Sequence, residues 1–312
     1  MSNHGHGDVR MFDDELNGEV PVAGSRLNPS RTAIITGAAG GLGREYSRIL
    51  AHKGWNLAVV DIDPSGLDET CDIVRAAGGQ AEPHQLDVTD AERWQTLLAT
   101  LRQEWPKLDL LINSAGVSYS GAFETMDLSD WRRVLSVNLD GTMLGCHTMV
   151  PWLIENPDSG QIINTASFAA FAQSPYMAAY NVSKSAVVAL SESLYTELTP
   201  RVYVTVVCPW FFRSGLLEKG RADVEWLARL ADHLVEISPI TAADVAQDAI
   251  RAMEKRKLHA LVTRRAWRMW RIKRCAPKAF LGLVRRQFAG LRKKFEDQSV
   301  AGKPTAPRQS EN

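Results

Sequence analysis

Tyr180 and Lys184 stand four residues apart in Tyr180-Asn181-Val182-Ser183-Lys184, inside an apolar, helix-like run from about Met177 to Leu198. On a helix that spacing puts both side chains on one face. An unperturbed tyrosine, with a pKa of about 10, is a poor base at neutral pH. A fixed cation beside it favours the phenolate. Bringing such a phenol to about pH 7 takes roughly 4 kcal/mol of differential stabilisation. The spacing alone is weak evidence, because a surface lysine near a half-buried tyrosine produces it too. The chemistry needs a carrier for electrons and a group that polarises the reacting oxygen.

A carrier site is suggested earlier in the chain. Thr32-Ala33-Ile34-Ile35-Thr36 reads as a short apolar strand and a helix is expected from about Leu42 to Lys53. Between them lie Gly37, Gly41 and Gly43. A glycine-rich turn in that context lets backbone approach a pyrophosphate, which the helix N-terminus attracts. A tight strand-to-helix turn is the plainer alternative. Asp61 ends the next strand, Leu57 to Asp61, where a carboxylate can accept from the ribose hydroxyls and repel a 2′-phosphate. No basic residue occupies the turn itself, although Arg44 follows it. NAD is therefore expected over NADP. Asp87 and Val88, after the third strand, are placed either at the adenine or in a helix cap.

The positioning elements follow from periodicity. Apolar strands near 32–36, 57–61, 81–86, 108–113, 161–165, 202–208 and 260–263 alternate with helices near 42–53, 65–77, 90–104, 129–150, 177–198 and 241–255. This pattern predicts an α/β fold, a doubly wound parallel sheet with helices on both faces. The 312 residues are 45% hydrophobic with a formal net charge of zero, which allows a sizeable core and argues against a generally basic or acidic protein. Cys71, Cys146, Cys208 and Cys275 match no zinc spacing and read as reduced residues of a cytoplasmic protein. No metal site, secretory signal or bilayer-spanning run is expected. Residues 1–30, including His4 and His6, read as a flexible arm; residues 31–263 form the catalytic unit, 264–296 a helical extension and 297–312 a disordered tail.

Together these residues resemble the classical short-chain dehydrogenase/reductase family over about Arg31 to Thr263. Thr36 to Gly43 resembles its cofactor turn, with Leu42 inside it. Asn113-Ser114-Ala115-Gly116 resembles its Asn-Asn-Ala-Gly motif, with serine at the second position. Asn138, Ser167, Tyr180 and Lys184 match the catalytic set. Pro209 matches the motif after the sixth strand, but Trp210 replaces the usual glycine, and Ser214 takes the place of a threonine near the carboxamide. The resemblance implies hydride transfer between a nicotinamide and a carbinol or carbonyl carbon, with Tyr180 as general acid/base. It further implies that Lys184 lowers the tyrosine pKa and holds the ribose, that Ser167 stabilises the oxyanion, and that Asn138 anchors a relay water. A homodimer or homotetramer is expected on the same ground.

Val117, Phe168, Phe171, Tyr176, Met177, Trp210, Phe211 and Phe212 are the expected pocket wall, which suits a lipophilic alcohol or ketone. A lid is expected over about 215–236. An NADPH-dependent 3-ketoacyl-thioester reductase and a catalytically idle scaffold are the alternatives. From Lys255 to Lys294 there are fifteen basic residues and no acidic one. Phe280, Val284, Phe288, Leu291 and Phe295 form a helical stripe there, and Pro277 is expected to separate two short helices. Residues 264–295 could thus bind an anionic membrane surface. They could instead pack on the protein's own body or a partner subunit. Nucleic acid is disfavoured for want of a recognition motif.

Overall fold

The computed structural model describes residues 31–213, 221–223 and 225–301, with side chains as far as Phe295. The N-terminal arm, Ser214 and residues 302–312 lie outside them. In order, the elements are β1 (Thr32–Thr36), α1 (Gly41–His52), β2 (Asn56–Asp61), α2 (Pro64–Ala76), β3 (Gln80–Gln85), α3 (Ala91–Glu104), β4 (Leu110–Asn113), β5 (Tyr119–Ser120), α4 (Leu128–Leu135), α5 (Gly141–Ile154), β6 (Gly160–Thr165) and α6 (Ala169–Ala172). There follow α7 (Ala178–Leu198), β7 (Val202–Val207), β8 (Arg221–Ala222), α8 (Glu225–Glu236), α9 (Ala242–Glu254), β9 (His259–Ala260), α10 (Arg264–Cys275) and α11 (Pro277–Ala301).

Seven strands pair in parallel in the order β3-β2-β1-β4-β6-β7-β9. β1 and β4 are buried along their whole length, as strands covered on both faces must be. One face packs Leu42, Tyr46, Leu50 and Leu67 against α9 residues Val245 and Ile250. The other packs Trp94, Leu97, Met149, Trp152 and Leu198. β3 is polar, carries Pro83 and lies at the sheet edge, where a missing N–H is tolerated. Strand order reverses between β1 and β4, so the crevice of a doubly wound sheet opens at their C-terminal ends. Registers bring those ends level: Ile35 pairs with Ile112, Asn113 with Asn164 and Thr165 with Val207.

Local chemistry fixes the helix starts. Asp63 accepts from Gly66 N ahead of Pro64 in α2, Asp90 accepts from Glu92 N and Arg93 N in α3, and Thr241 with Asp244 forms a capping box for α9. Two expectations need correction. The helix expected at 129–150 contains a single π turn, Ser136–Asp140, between α4 and α5. Such a turn is a local device that periodicity cannot reveal. Pro277 does separate two helices, but it stands at the first position of α11, where its missing N–H costs nothing. With no further proline before Pro304, α11 then runs 25 residues to Ala301, past the expected boundary at 296.

Candidate active site

Thr36 ends β1 and ties two loops together: its Oγ1 accepts from Ser114 N at 3.0 Å and from Ala115 N at 3.1 Å. The glycine turn and the loop after β4 therefore touch. A Cβ on Gly37 would stand 2.8 Å from Ala115 Cα, and Gly37 has φ +67°. A Cβ on Gly43 would lie 2.2 Å from the Gly37 carbonyl oxygen. Gly41 also has positive φ, at 51°, a conformation that suits glycine.

A cleft of about 870 Å³ opens over these loops. Gly37, Gly41, Leu42, Gly43, Asp61, Asp87, Val88, Ala115, Gly116, Ser167, Tyr180, Lys184 and Pro209 all line it. Two expected residues do not. Asn113 is buried behind the site and its Nδ2 donates to Asn164 Oδ1 at 2.9 Å. Asn138 is fully buried. Its Oδ1 accepts from Val117 N (2.8 Å), while Nδ2 donates to Val117 O (3.0 Å) and Ser183 Oγ (3.1 Å). The π turn thus aims an asparagine that binds the β4 loop to α7. Asp90, not Asp87, caps α3; Asp87 Oδ1 accepts from Thr89 N and Oγ1 at the cleft rim.

Tyr180 and Lys184 lie in the first two turns of α7 and are 7% and 4% exposed. Ser167 acts to lower the Tyr180 pKa, but burial outweighs it and pushes the value up to about 12. Burial also pushes Lys184 down, to about 8, against a smaller opposing effect of the Cys208 thiol. The Lys184 ammonium donates to Thr165 O at 2.8 Å and lies 5.9 Å from the Tyr180 ring centroid. The expected depression of the tyrosine pKa by Lys184 is not what the chain's own groups produce. With both groups out of water, desolvation outweighs their neighbours.

The expected aromatic wall is met by Val117, Phe168, Met177, Trp210, Phe211 and Phe212. Phe171 and Tyr176 are not on it. Phe171 stands edge-on to Phe168 and Trp270, and Tyr176 edge-on to Trp226. Arg133 and Val235 line the cleft as well. Val235 belongs to the segment expected as a lid, of which residues 215–220 and 224 lie outside the described residues; nothing in the sequence marks Arg133, because tertiary folding alone brings α4 to this opening. Trp210 packs against Phe168 at a tilt of 41°, with ring centroids 4.5 Å apart, and the residue in place of glycine becomes part of the wall. Arg213 is exposed, as a loop arginine would be. Cys71, Cys146 and Cys208 are buried and Cys275 exposed, all as free thiols. Among the described residues no cluster suits a metal ion, and no helix is long and apolar enough to cross a membrane.

The glycine cradle, the acid at the end of β2 and the crevice at the strand reversal fit a dinucleotide. Residues 31–225 match the family model described as short chain dehydrogenase, and the chain belongs to that family of oxidoreductases. It is 29% identical over 260 residues to "Probable oxidoreductase EphD" of Mycobacterium tuberculosis; the match covers 80% of this chain, which spans 44% of that protein. A short-chain dehydrogenase/reductase from Burkholderia phymatum in complex with NAD is similar in structure. Its TM-score is 0.72 at 28% identity, over 90% of this chain and 98% of that one. A short-chain dehydrogenase from Sphingobium yanoikuyae in complex with NADPH shares the fold, with a TM-score of 0.64 at 23% identity and coverage of 90% and 98%.

Proposed function

We propose that the chain transfers a hydride between NAD and a lipophilic secondary alcohol or ketone, with Tyr180 as general acid/base. The observation that carries this reading is that Tyr180, Ser167 and Lys184 line the same cleft as the glycine cradle and the aromatic end. The nicotinamide, when bound, supplies or accepts the hydride.

The rest is done by side chains. In reduction, Tyr180, held protonated by its burial, donates its proton to the carbonyl oxygen. Ser167 donates a hydrogen bond to the same oxygen as charge develops on it. In oxidation Tyr180 must first lose its proton, a step that its burial opposes. Lys184 also faces Gly116: a Cβ there would lie 3.5 Å from Nζ. This approach suits a role for the ammonium in holding the ribose. Asn138 positions the Val117 loop, and its Oδ1 keeps a second lone pair that can anchor a relay water.

Asp61 and Arg44 support NAD over NADP. Asp61 Oδ2 accepts from Ala39 N at 3.0 Å and Oδ1 from Asp63 N at 3.1 Å, which keeps a carboxylate at the cleft wall. Arg44, a cation just beyond the turn that could have met a 2′-phosphate, is already engaged. Its Nη2 donates to Ala39 O at 2.6 Å and to Glu69 Oε2 at 2.8 Å, and its Nε donates to Thr70 Oγ1. The apolar end, with Phe168, Met177, Trp210, Phe211 and Phe212, favours a greasy substrate.

The test is a panel of secondary alcohols and ketones assayed with both nucleotides, for wild type and Tyr180→Phe. Turnover is expected with NAD(H), and the variant is expected to lose it while still binding NADH. Substantial residual activity in Tyr180→Phe would remove the tyrosine from its role. Equal or better turnover with NADP(H) would reverse the cofactor assignment.

A further inference from the structure

The family match ends at residue 225, yet the two C-terminal helices touch both loops that flank the apolar end of the cleft. α10 reaches the first. Trp270 stands edge-on to Phe171 at 6.5 Å, and the Arg265 guanidinium lies 5.5 Å from the centroid of Trp210. α11 reaches the second, at Tyr176. Phe288 packs 6.3 Å from the Tyr176 ring, and Arg292 lies 5.8 Å from its centroid. Arg292 Nη1 also donates to the Tyr176 hydroxyl at 2.7 Å. Trp226 of α8 meets the same ring edge-on at 5.3 Å.

Tyr176 connects this cluster to the chemistry. Its φ is +64°, and a bulky side chain stays in that region only where its surroundings over-determine it. Its carbonyl accepts from Gly121 N at 2.8 Å. Met177, the next residue, lines the cleft and precedes α7, and Tyr180 follows in the first turn. Phe288, Leu291 and Phe295 of α11 cover Trp226, Leu227 and Leu230 of α8, the helix that carries Val235 to the cleft. One helix therefore holds both the residue before Met177 and α8.

We infer that α11 is a positioning element of the substrate site. It grips Tyr176 and α8 together, sets the backbone path into Met177 and the place of Val235, and so decides the affinity for the lipophilic substrate. The nucleotide half, built on β1, α1 and β2, has no share in this contact. The substrate part of this inference rests on the proposed reaction; the mechanical part does not.

The test uses full-length Phe288→Ala, with Phe288→Leu as the conservative control. The KM for the alcohol or ketone is expected to rise about tenfold in Phe288→Ala, while kcat and the NADH dissociation constant stay within about twofold; Phe288→Leu recovers most of the loss. Hydrogen exchange at residues 176–180 and 225–236 is expected to speed up about tenfold, with β1 and α1 unchanged. Tyr176→Phe keeps the ring, removes only the hydroxyl bonded to Arg292, and shifts KM in the same direction by less. Unchanged KM with unchanged exchange overturns the proposal. So does a loss of NADH affinity in step with melting temperature, which would mark general destabilisation. If wild type turns over no secondary alcohol or ketone, the reaction reading fails, and the exchange measurements alone decide whether α11 holds Tyr176 and α8.

Discussion

Burial acts on the two ends of the catalytic pair in opposite senses. It pushes Tyr180 up and Lys184 down, because each loses more by shedding water than it gains from its neighbours. A neutral phenol is suited to proton donation, so ketone reduction is expected to run at neutral pH while alcohol oxidation climbs with pH. For Lys184 the depressed folded pKa is a stability cost. Between an ordinary 10.5 and a folded value of about 8, that cost is on the order of 3 kcal/mol. It is fully present below pH 8, where both states carry the proton, and it fades as pH rises from 8 to 10.5, where only the unfolded state keeps it. Lys184→Met removes the buried charge and also the bond to Thr165 O, worth about 1 kcal/mol. The variant is expected to be inactive yet more stable by about 2 kcal/mol at pH 7, with the advantage closing toward pH 10.5. Denaturant melts of both proteins across that range check it, and a less stable variant at pH 7 would contradict it.

At the scale of elements, the site depends on how closely the β1–α1 turn and the β4 loop approach. Gly43 has no room for a Cβ beside the Gly37 carbonyl, whereas a Cβ on Gly40 meets nothing within 4 Å. Gly43→Ala is expected to cost about 1–3 kcal/mol of stability, as overpacking does, and to abolish NADH binding. Gly40→Ala, one step outside the contact, is expected to leave both nearly unchanged. Denaturant titration and NADH fluorescence separate the two, and equal behaviour would show that the turn is softer than its geometry implies. The π turn is the other device of this scale. It gives Asn138 three hydrogen bonds that a regular helix from 129 to 150 would not aim in the same way.

For the whole molecule, charge and apolar surface part company in the C-terminal helices. Residues 264–295 carry twelve basic residues and no acidic one. Phe288, Leu291 and Phe295 of the apolar stripe pack on the chain's own α8, and Phe280 is also buried, 1% exposed. Trp267, Ile272, Leu281 and Leu283 remain exposed, but their spacing spreads them around the two helices instead of along one stripe. Any attraction to anionic lipid should then be electrostatic and screened by salt. Full-length protein is expected to sediment with anionic liposomes at low ionic strength, to be released in high salt, and to ignore neutral liposomes. Binding that survives high salt would require apolar insertion that this packing does not provide.

The doubly wound sheet, the glycine cradle, Asp61 and the Tyr180–Lys184 spacing could be read from residue order, and Ser167 from the family resemblance. The first four rest on local spacing, on periodicities of 2 and 3.6, and on turn chemistry that neighbours in the chain supply. What tertiary structure decided lies where distant segments meet. Asn113 and Asn138 moved behind the cleft, because their amides pair across strands and helices. Arg44 is held by α2 through Thr70 and Glu69. Phe171 and Tyr176 turned from the pocket toward the C-terminal helices, and the stripe of α11 found its partner in α8. Sequence patterning states that a face is apolar, but which surface covers that face depends on contacts between residues more than fifty positions apart, and only the folded chain sets those.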